Sequence, residues 1–296
     1  MQEAETIFDA RCVRRSFSRA SAGYDTAAVV QREVRDILLQ RLELTRLQPT
    51  TVLDAGAGTG HASRALKQRY PKARVVALDS AHGMLLQARR QQRLWRRFER
   101  ICADASQLPF ADASVDLIFS SLMLQWNHPD AVLGEFRRVL RPGGLLSLSS
   151  CGPDTLRELR SAWAAVDEDA HVLPFIDMHD LGDALVRAGF NAPVLDVERY
   201  TLNYTDVHAV MRDLKANGAH NALTQRRRGL TAPSRINGVQ LAYEAFRVDG
   251  RLPATVEIVF ANAWAPNAAR RTVAHEETTV SLAELTAELR ARAKGL

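Results

Sequence analysis

Three acids and a glycine turn carry the first chemistry legible in this sequence. Residues 51–60 read TVLDAGAGTG: a short apolar run ends at Asp54, and Gly56, Ala57, Gly58 and Gly60 follow. HASRALKQRY comes next, with apolar residues at helical spacing. A strand, a glycine turn and a helix in that order let the backbone pass close to a ligand at positive φ. The helix start adds unpaired N–H groups and the positive end of its dipole. Asp79 closes a second run, RVVALD at 74–79, where an acid is placed to accept hydrogen bonds from a ribose diol. Asp104 closes a third.

Position excludes two nucleotide motifs. A dinucleotide turn needs G-x-G-x-x-G, and the sixth position from Gly56 is His61. No G-x-x-x-x-G-K-[ST] run occurs, so a P-loop is absent. No general-base dyad or nucleophile triad is apparent. Cys12, Cys102 and Cys151 are far apart and odd in number, which points to neither a metal site nor a disulfide framework and suits a reducing cytoplasm.

The elements that must position these residues alternate. Strands are expected at 51–54, at 74–79, around Ile101 and Cys102 ending at Asp104, at 115–121 and at 145–151. VDLIFSS at 115–121 is almost continuously apolar, as a buried parallel strand should be. Helices are expected at 26–44, capped by Asp25 or Thr26, from 81 to about 97, capped by Ser80, and at 129–140, stopped by RPGG. This alternation predicts an α/β fold with a doubly wound parallel sheet. Residues 1–25 read as a mixed segment. Beyond Gly152 the pattern gives helices at 154–166 and 178–190, a strand at 194–202, a largely helical insertion at 203–250 and a strand at 254–264. A polar tail with an amphipathic end follows from 266.

The 296 residues suit one large domain or one domain with an insertion. With 46% hydrophobic and 25% charged residues the composition is that of a soluble globular protein. The net charge of +5 fits an acidic partner or an arginine-rich surface. The first fifteen residues lack an apolar core and carry Glu3, Glu5 and Asp9, unlike a secretory or transit peptide. No run approaches the roughly 18 apolar residues of a membrane span.

DAGAGTG at 54–60, ALD at 77–79, ADASQLPF at 103–110 and LRPGG at 140–144 occur in order, and together they resemble the class I S-adenosylmethionine (SAM) methyltransferases. That resemblance implies a Rossmann-like seven-stranded sheet with a helical insertion before the last strand. RSFSRASAGYDTAAVVQ at 15–31, ALDSAHGMLLQAR at 77–89, SLMLQW at 121–126 and LRELRSAWAAVD at 156–167 resemble the malonyl-acyl-carrier-protein O-methyltransferases of biotin synthesis, over residues 15 to about 265. HVLPFIDMHDLGDALVRAGF and MRDLKANGAHN are shared with the mitochondrial complex I assembly factor reported as an arginine hydroxylase. The C-terminal half therefore does not separate the two. The implied organisation is a methyltransferase domain at 1–265, with a lid and helices at 1–45, a SAM-binding core at 51–151 and the insertion at 203–250, then a tail at 266–296.

The resemblance implies SAM as cofactor. Gly56, Ala57, Gly58 and Gly60 would follow its methionine part, with Asp54 near the ammonium or a water. Asp79 would bind the ribose, Met84 would pack on adenine, and Asp104 with Ala105 would meet the adenine edge. Ser80, Ser121 and Tyr24 complete the expected cofactor shell. The implied acceptor is the free carboxylate of a malonyl thioester on acyl carrier protein, or on coenzyme A. A carboxylate titrates near ~4 and is ionised at pH 7, so no catalytic base is expected. Phe17, Tyr24 and Gln31 would form a lid, and Gln125 and Trp126 follow the fourth strand, at the edge where substrates enter such sheets.

Arg212, Lys215 and His220 are the expected holders of the malonyl carboxylate. Arg89, Arg93, Arg96, Arg97 and Arg100 would share one stripe if their helix runs that far, and Arg226, Arg227 and Arg228 form a second basic cluster; either suits an acidic carrier protein. The loop SSLMLQW lacks [ND]-P-P-[YFW], and no Pro-Cys motif occurs, which disfavours nucleic-acid methylation. The implied product is a methyl ester whose masked charge suits elongation toward pimeloyl and biotin, in the cytoplasm. Two other readings stand beside it: a protein arginine hydroxylase on the same fold, and a SAM-fold protein that binds a partner without catalysis.

Overall fold

An apolar run that starts a parallel sheet has to be buried on both faces. A computed structural model describes residues 8–92, 96–227 and 229–267. The N-terminal segment forms α1 (Ala10–Ala20), α2 (Tyr24–Ala27) and α3 (Val29–Arg41). Then come β1 (Thr51–Ala55), α4 (His61–Arg69), β2 (Arg74–Asp79), α5 (His82–Gln91), β3 (Glu99–Cys102), β4 (Val115–Ser121), α6 (Pro129–Val139) and β5 (Leu140–Cys151). The C-terminal part adds α7 (Arg157–Ala164), α8 (Met178–Arg187), β6 (Asn191–Tyr204), α9 (Val207–Ala216), α10 (Pro233–Tyr243) and β7 (Leu252–Trp264).

The seven strands form one sheet in the order β3-β2-β1-β4-β5-β7-β6. Pairings up to β5 are parallel, and β7 runs antiparallel between β5 and β6. The order reverses between β1 and β4, which opens a crevice at the carboxyl ends of these strands. Side chains alternate across the sheet as the pleat requires. Leu53, Val76, Ile118 and Leu146 pack under Phe136 of α6 and Leu181 of α8. Val52, Val75, Leu117 and Leu145 pack under Leu38 of α3, Leu66 of α4 and Leu85 of α5. Each such side chain contributes about 1.5–3 kcal/mol. A smaller core joins Trp163 to Val210 and Tyr243 of the insertion, against Leu252 and Ala254.

Several boundaries differ from the sequence expectation. The segment read as mixed contains α1, whose Asp9 cap accepts the Cys12 N–H at 2.9 Å. Its only buried residue is Val13, so the arginine-rich sequence shows no apolar stripe. The helix expected at 26–44 is broken at Ala28, with φ −79° and ψ 58°. Ser80 does not cap α5; Ala81 holds that position, and its N–H goes to Asp79. Helix α5 stops at Gln91 instead of running to about 97. The Gln92 side chain donates to the Phe98 carbonyl, and Phe98 is buried against the α4–α5 packing, so the chain turns early. The third strand ends at Cys102, before Asp104. RPGG belongs to β5, whose pairing with β4 begins at Leu140 and then shifts register. The tail beyond Asn267 lies outside the described residues.

Asp54 and Gly60 shape the turn after β1. The Asp54 carboxylate is buried and accepts the hydroxyl and backbone N–H of Ser63 in the first turn of α4. Gly60 has φ +85°, and a Cβ there would lie 2.8 Å from the Ala88 Cβ. Glycine is thus set by the close approach of α4 to α5. Gly60→Ala should lower stability by about 2 kcal/mol or more, read by urea denaturation. Burial pushes the Asp54 carboxyl up to about 7, against the Ser63 hydrogen bonds and with help from the Asp79 charge. A native pKa above the unfolded value means the folded state alone keeps the proton between pH ~4 and ~7, so stability falls as pH rises through that window. Asp54→Asn should reduce the stability loss between pH 5 and pH 8; an unchanged pH dependence would contradict the buried neutral carboxyl.

Candidate active site

The glycine turn is fastened to β2 by hydrogen bonds within the chain. The Leu78 carbonyl accepts N–H bonds from both Gly56 (2.8 Å) and Ala57 (2.9 Å). The Asp79 carboxylate accepts the Gly58 N–H at 2.8 Å through Oδ2 and the Ala81 N–H at 2.7 Å through Oδ1. Much of the amide supply that the sequence seemed to offer a ligand is therefore spent on fixing the turn. Glycine is needed for shape: Gly56 has φ +78°, with a Cβ position 2.5 Å from Met123 side-chain atoms, while a Cβ on Gly58 (φ +53°) would enter open space. Burial pushes the Asp79 carboxyl above the ordinary carboxylate range, against the two N–H bonds it accepts.

A cleft runs over this turn. Gly56, Gly58, Asp79, Ser80, Met84, Asp104, Ala105, Ser121 and Tyr24 line it. Asp54 and Ala57 line its continuation toward α4. Gly60 lines neither, which corrects its expected place along the ligand: its positive φ serves helix packing. Asp104 Oδ1 accepts the N–H (3.0 Å) and hydroxyl (2.8 Å) of Ser106, while Oδ2 has no hydrogen bond among the described residues. The Ser121 hydroxyl accepts from Ser149 at 3.3 Å. This donor and acceptor set fits a nucleoside with a ribose and an adenine edge, and the open space beside Gly58 leaves room for a ligand against the backbone.

Beside the cleft lies a cavity of about 680 Å³. Phe17, Tyr24, Leu122 and Trp126 line both spaces. Phe17 meets Trp126 edge-on at 5.2 Å and Tyr24 at 6.5 Å between ring centroids. The N-terminal segment is also tied to the turn: Asp25 accepts the Thr59 hydroxyl at 2.5 Å and pairs with His61 at 3.0 Å. Burial pushes the Tyr24 hydroxyl pKa up, and the Asp79 and Asp25 charges push it further, so it stays protonated. Leu122 lies in the SLMLQW stretch but is not among the expected site residues; it holds φ +53° without being glycine, and its N–H donates to the Ser149 carbonyl.

Gln31, Gln125, Arg212 and His220 line the cavity too. Gln31 Oε1 and the Oδ1 of buried Asn217 have no hydrogen-bond partner among the described residues. Gln125 is occupied, donating to the Leu122 carbonyl at 2.9 Å and accepting from Ser150. The expected trio of cations separates here. Arg212 lines the cavity and makes no ion pair within 4 Å among the described residues. Lys215 is exposed and does not line it. His220 lines the cavity, and partial burial lowers its pKa, with Lys215 and Arg19 lowering it further, which disfavours its charged form.

The expected arginine stripe is not a stripe. Arg89 is in the last turn of α5, Arg96 and Arg97 follow the helix, and Arg100 is on β3. Arg93 and Arg228 lie outside the described residues. The early end of α5 at Gln91 separates these side chains, and none of those described lines the cleft or the cavity.

Comparison with known proteins agrees with this geometry. Residues 53–148 match the model of the methyltransferase domain. Solved structures similar to this fold include a Bacillus halodurans C-125 protein (TM-score 0.57, 20% identity, 78% of this chain and 99% of that one). The YcgJ protein of Bacillus subtilis is another (TM-score 0.57, 15% identity, 80% and 99%). The malonyl-[acyl-carrier protein] O-methyltransferase of Methylovorus sp. strain MP688 is 54% identical over 269 residues, covering 88% of this chain and 91% of that protein. The enzyme of that name from Laribacter hongkongensis strain HLHK9 is 56% identical over 268 residues, covering 88% and 90%. With more than half of the aligned positions identical along nearly the whole of two such enzymes, this chain belongs to the SAM-dependent malonyl-[acyl-carrier protein] O-methyltransferase family.

Proposed function

We propose that this protein transfers the methyl group of SAM to the free carboxylate of a malonyl thioester held on acyl carrier protein. The observation that carries this reading is the shared wall: Phe17, Tyr24, Leu122 and Trp126 line the cofactor cleft and the large cavity alike. A cofactor in the cleft and an acceptor in the cavity would meet there. Bound SAM supplies an electrophilic methyl carbon. Asp79 accepts from the ribose, Asp104 and Ala105 read the adenine edge, Met84 packs on the ring, and Ser80, Ser121 and Asp54 complete the polar boundary.

None of the four wall residues is a base near neutral pH, since the Tyr24 hydroxyl keeps its proton. That suits an acceptor already ionised, which needs alignment and exclusion of water instead of deprotonation. The aromatic wall excludes water, and alignment of this kind is worth up to about 7–11 kcal/mol of barrier. Arg212, which lines the cavity, would hold the malonyl carboxylate, and Gln31 adds a further polar group to the lining. The product is a neutral ester, suited to chain elongation toward pimeloyl and biotin. A carrier-bound thioester is preferred to the coenzyme A form because the relatives carry that name. Their names also favour methyl transfer over arginine hydroxylation and over partner binding without turnover. A cytoplasmic enzyme acting on neither nucleic acid nor membrane fits this substrate; among the described residues no helix is long and apolar enough to cross a membrane.

Purified protein with SAM and malonyl-carrier protein should give S-adenosylhomocysteine and a carrier heavier by one methylene; no such product would refute the assignment. Asp79→Asn should weaken SAM binding by about 10- to 100-fold in calorimetry, because an amide replaces one acceptor oxygen among N–H donors. Arg212→Gln should raise KM for the malonyl thioester about tenfold or more and leave SAM affinity within about twofold.

A further inference from the structure

A second groove, about 610 Å³ in volume, lies against the acceptor cavity. Arg11, Arg15 and Arg19 line it from α1, where a spacing of four places them on one helix face. Arg226, Arg227 and Arg235 face them from the insertion. Two of the six are held by carboxylates: Arg226 by Asp9 at 3.0 Å and Arg235 by Asp167 at 2.7 Å. Arg11, Arg15, Arg19 and Arg227 have no ion pair within 4 Å among the described residues. Gathering uncompensated guanidinium groups from two distant parts of the chain costs Coulomb energy, which a bound anion would recover.

Two features separate this groove from an ordinary solvated helix face. It shares His171, His220 and Asn221 with the acceptor cavity, so an elongated ligand can lie in both. Within that cavity's lining, Asn217 is 7% exposed and its Oδ1 has no donor among the described residues. The site therefore offers guanidinium donors outside and an unpaired amide acceptor inside. A phosphopantetheine thioester has the matching order: a phosphate at one end, amide N–H groups along the arm and the acyl group at the tip.

Resting on the substrate class proposed above, we propose that this arginine groove binds the phosphate of the phosphopantetheine arm and so threads the malonyl end toward the cleft. Guanidinium is well suited to this task, because its planar fork bonds phosphate oxygens in pairs. None of the described α5–β3 arginines lines this groove, which would read the one charged group that lies on the arm itself.

The test compares malonyl-pantetheine, malonyl-phosphopantetheine and malonyl-carrier protein as methyl acceptors. For wild-type protein at low salt, kcat/KM should be about tenfold or more higher for the phosphorylated small thioester than for the one lacking phosphate, and this ratio should fall as salt rises. Arg15→Gln with Arg19→Gln should reduce the ratio about tenfold, and Arg15→Lys with Arg19→Lys should retain part of it. A wild-type ratio near one, insensitive to salt, overturns the inference without needing any variant. A ratio that survives in the glutamine variant also overturns it. A loss seen only with malonyl-carrier protein overturns it and assigns the arginines to the carrier's acidic surface. Failure of the wild-type protein to methylate any of the three instead refutes the function proposed above.

Discussion

The site depends on how the glycine turn is fastened to β2. One carbonyl, that of Leu78, takes two N–H groups of the turn, and one carboxylate, that of Asp79, takes a third and also the N–H that starts α5. These bonds set where β1 ends, where α4 begins and how α5 approaches it. They also hold a half-buried carboxyl in the lining of the cleft, its pKa displaced upward by desolvation. Asp79 thus builds the turn with both of its carboxyl oxygens while lining the cleft.

The second organising feature is the aromatic partition. Phe17 comes from the N-terminal helix, Tyr24 from the short helix after it and Trp126 from the segment beyond β4. Their edge-on contacts close one end of the cleft while leaving a face toward the larger cavity. Asp25 ties the same N-terminal segment to Thr59 and His61, so the wall is anchored to the glycine turn. Methyl transfer to a carboxylate would ask mainly for alignment and dryness, and the wall between the two spaces is aromatic, without a carboxylate or imidazole among these side chains.

Charge is distributed along the path from surface to cleft. The groove outside is arginine-rich, Arg212 lines the cavity, and the cleft carries the carboxyl groups of Asp79 and Asp104. Such a gradient favours an anionic substrate from one side and a cationic cofactor from the other.

Much of this was legible in the residues alone. The apolar runs at 74–79 and 115–121 are the observed β2 and β4, and Asp79 and Asp104 line the cleft as their places after strands implied. Period-two and period-3.6 patterns report burial directly, so a doubly wound sheet follows from them. The arginine stripe, the role of Gly60 and the trio of cations did not follow. The end of α5 is set by Phe98 folding back into the core, Gly60 by the distance to Ala88, and the lowered pKa of His220 by partial burial, by Lys215 and by Arg19 from the N-terminal helix. Local sequence determines which elements form and which residues end them. Which side chains share a wall, which amides are already spent and which arginines converge were decided by tertiary packing, because each depends on distances between segments that no local pattern encodes.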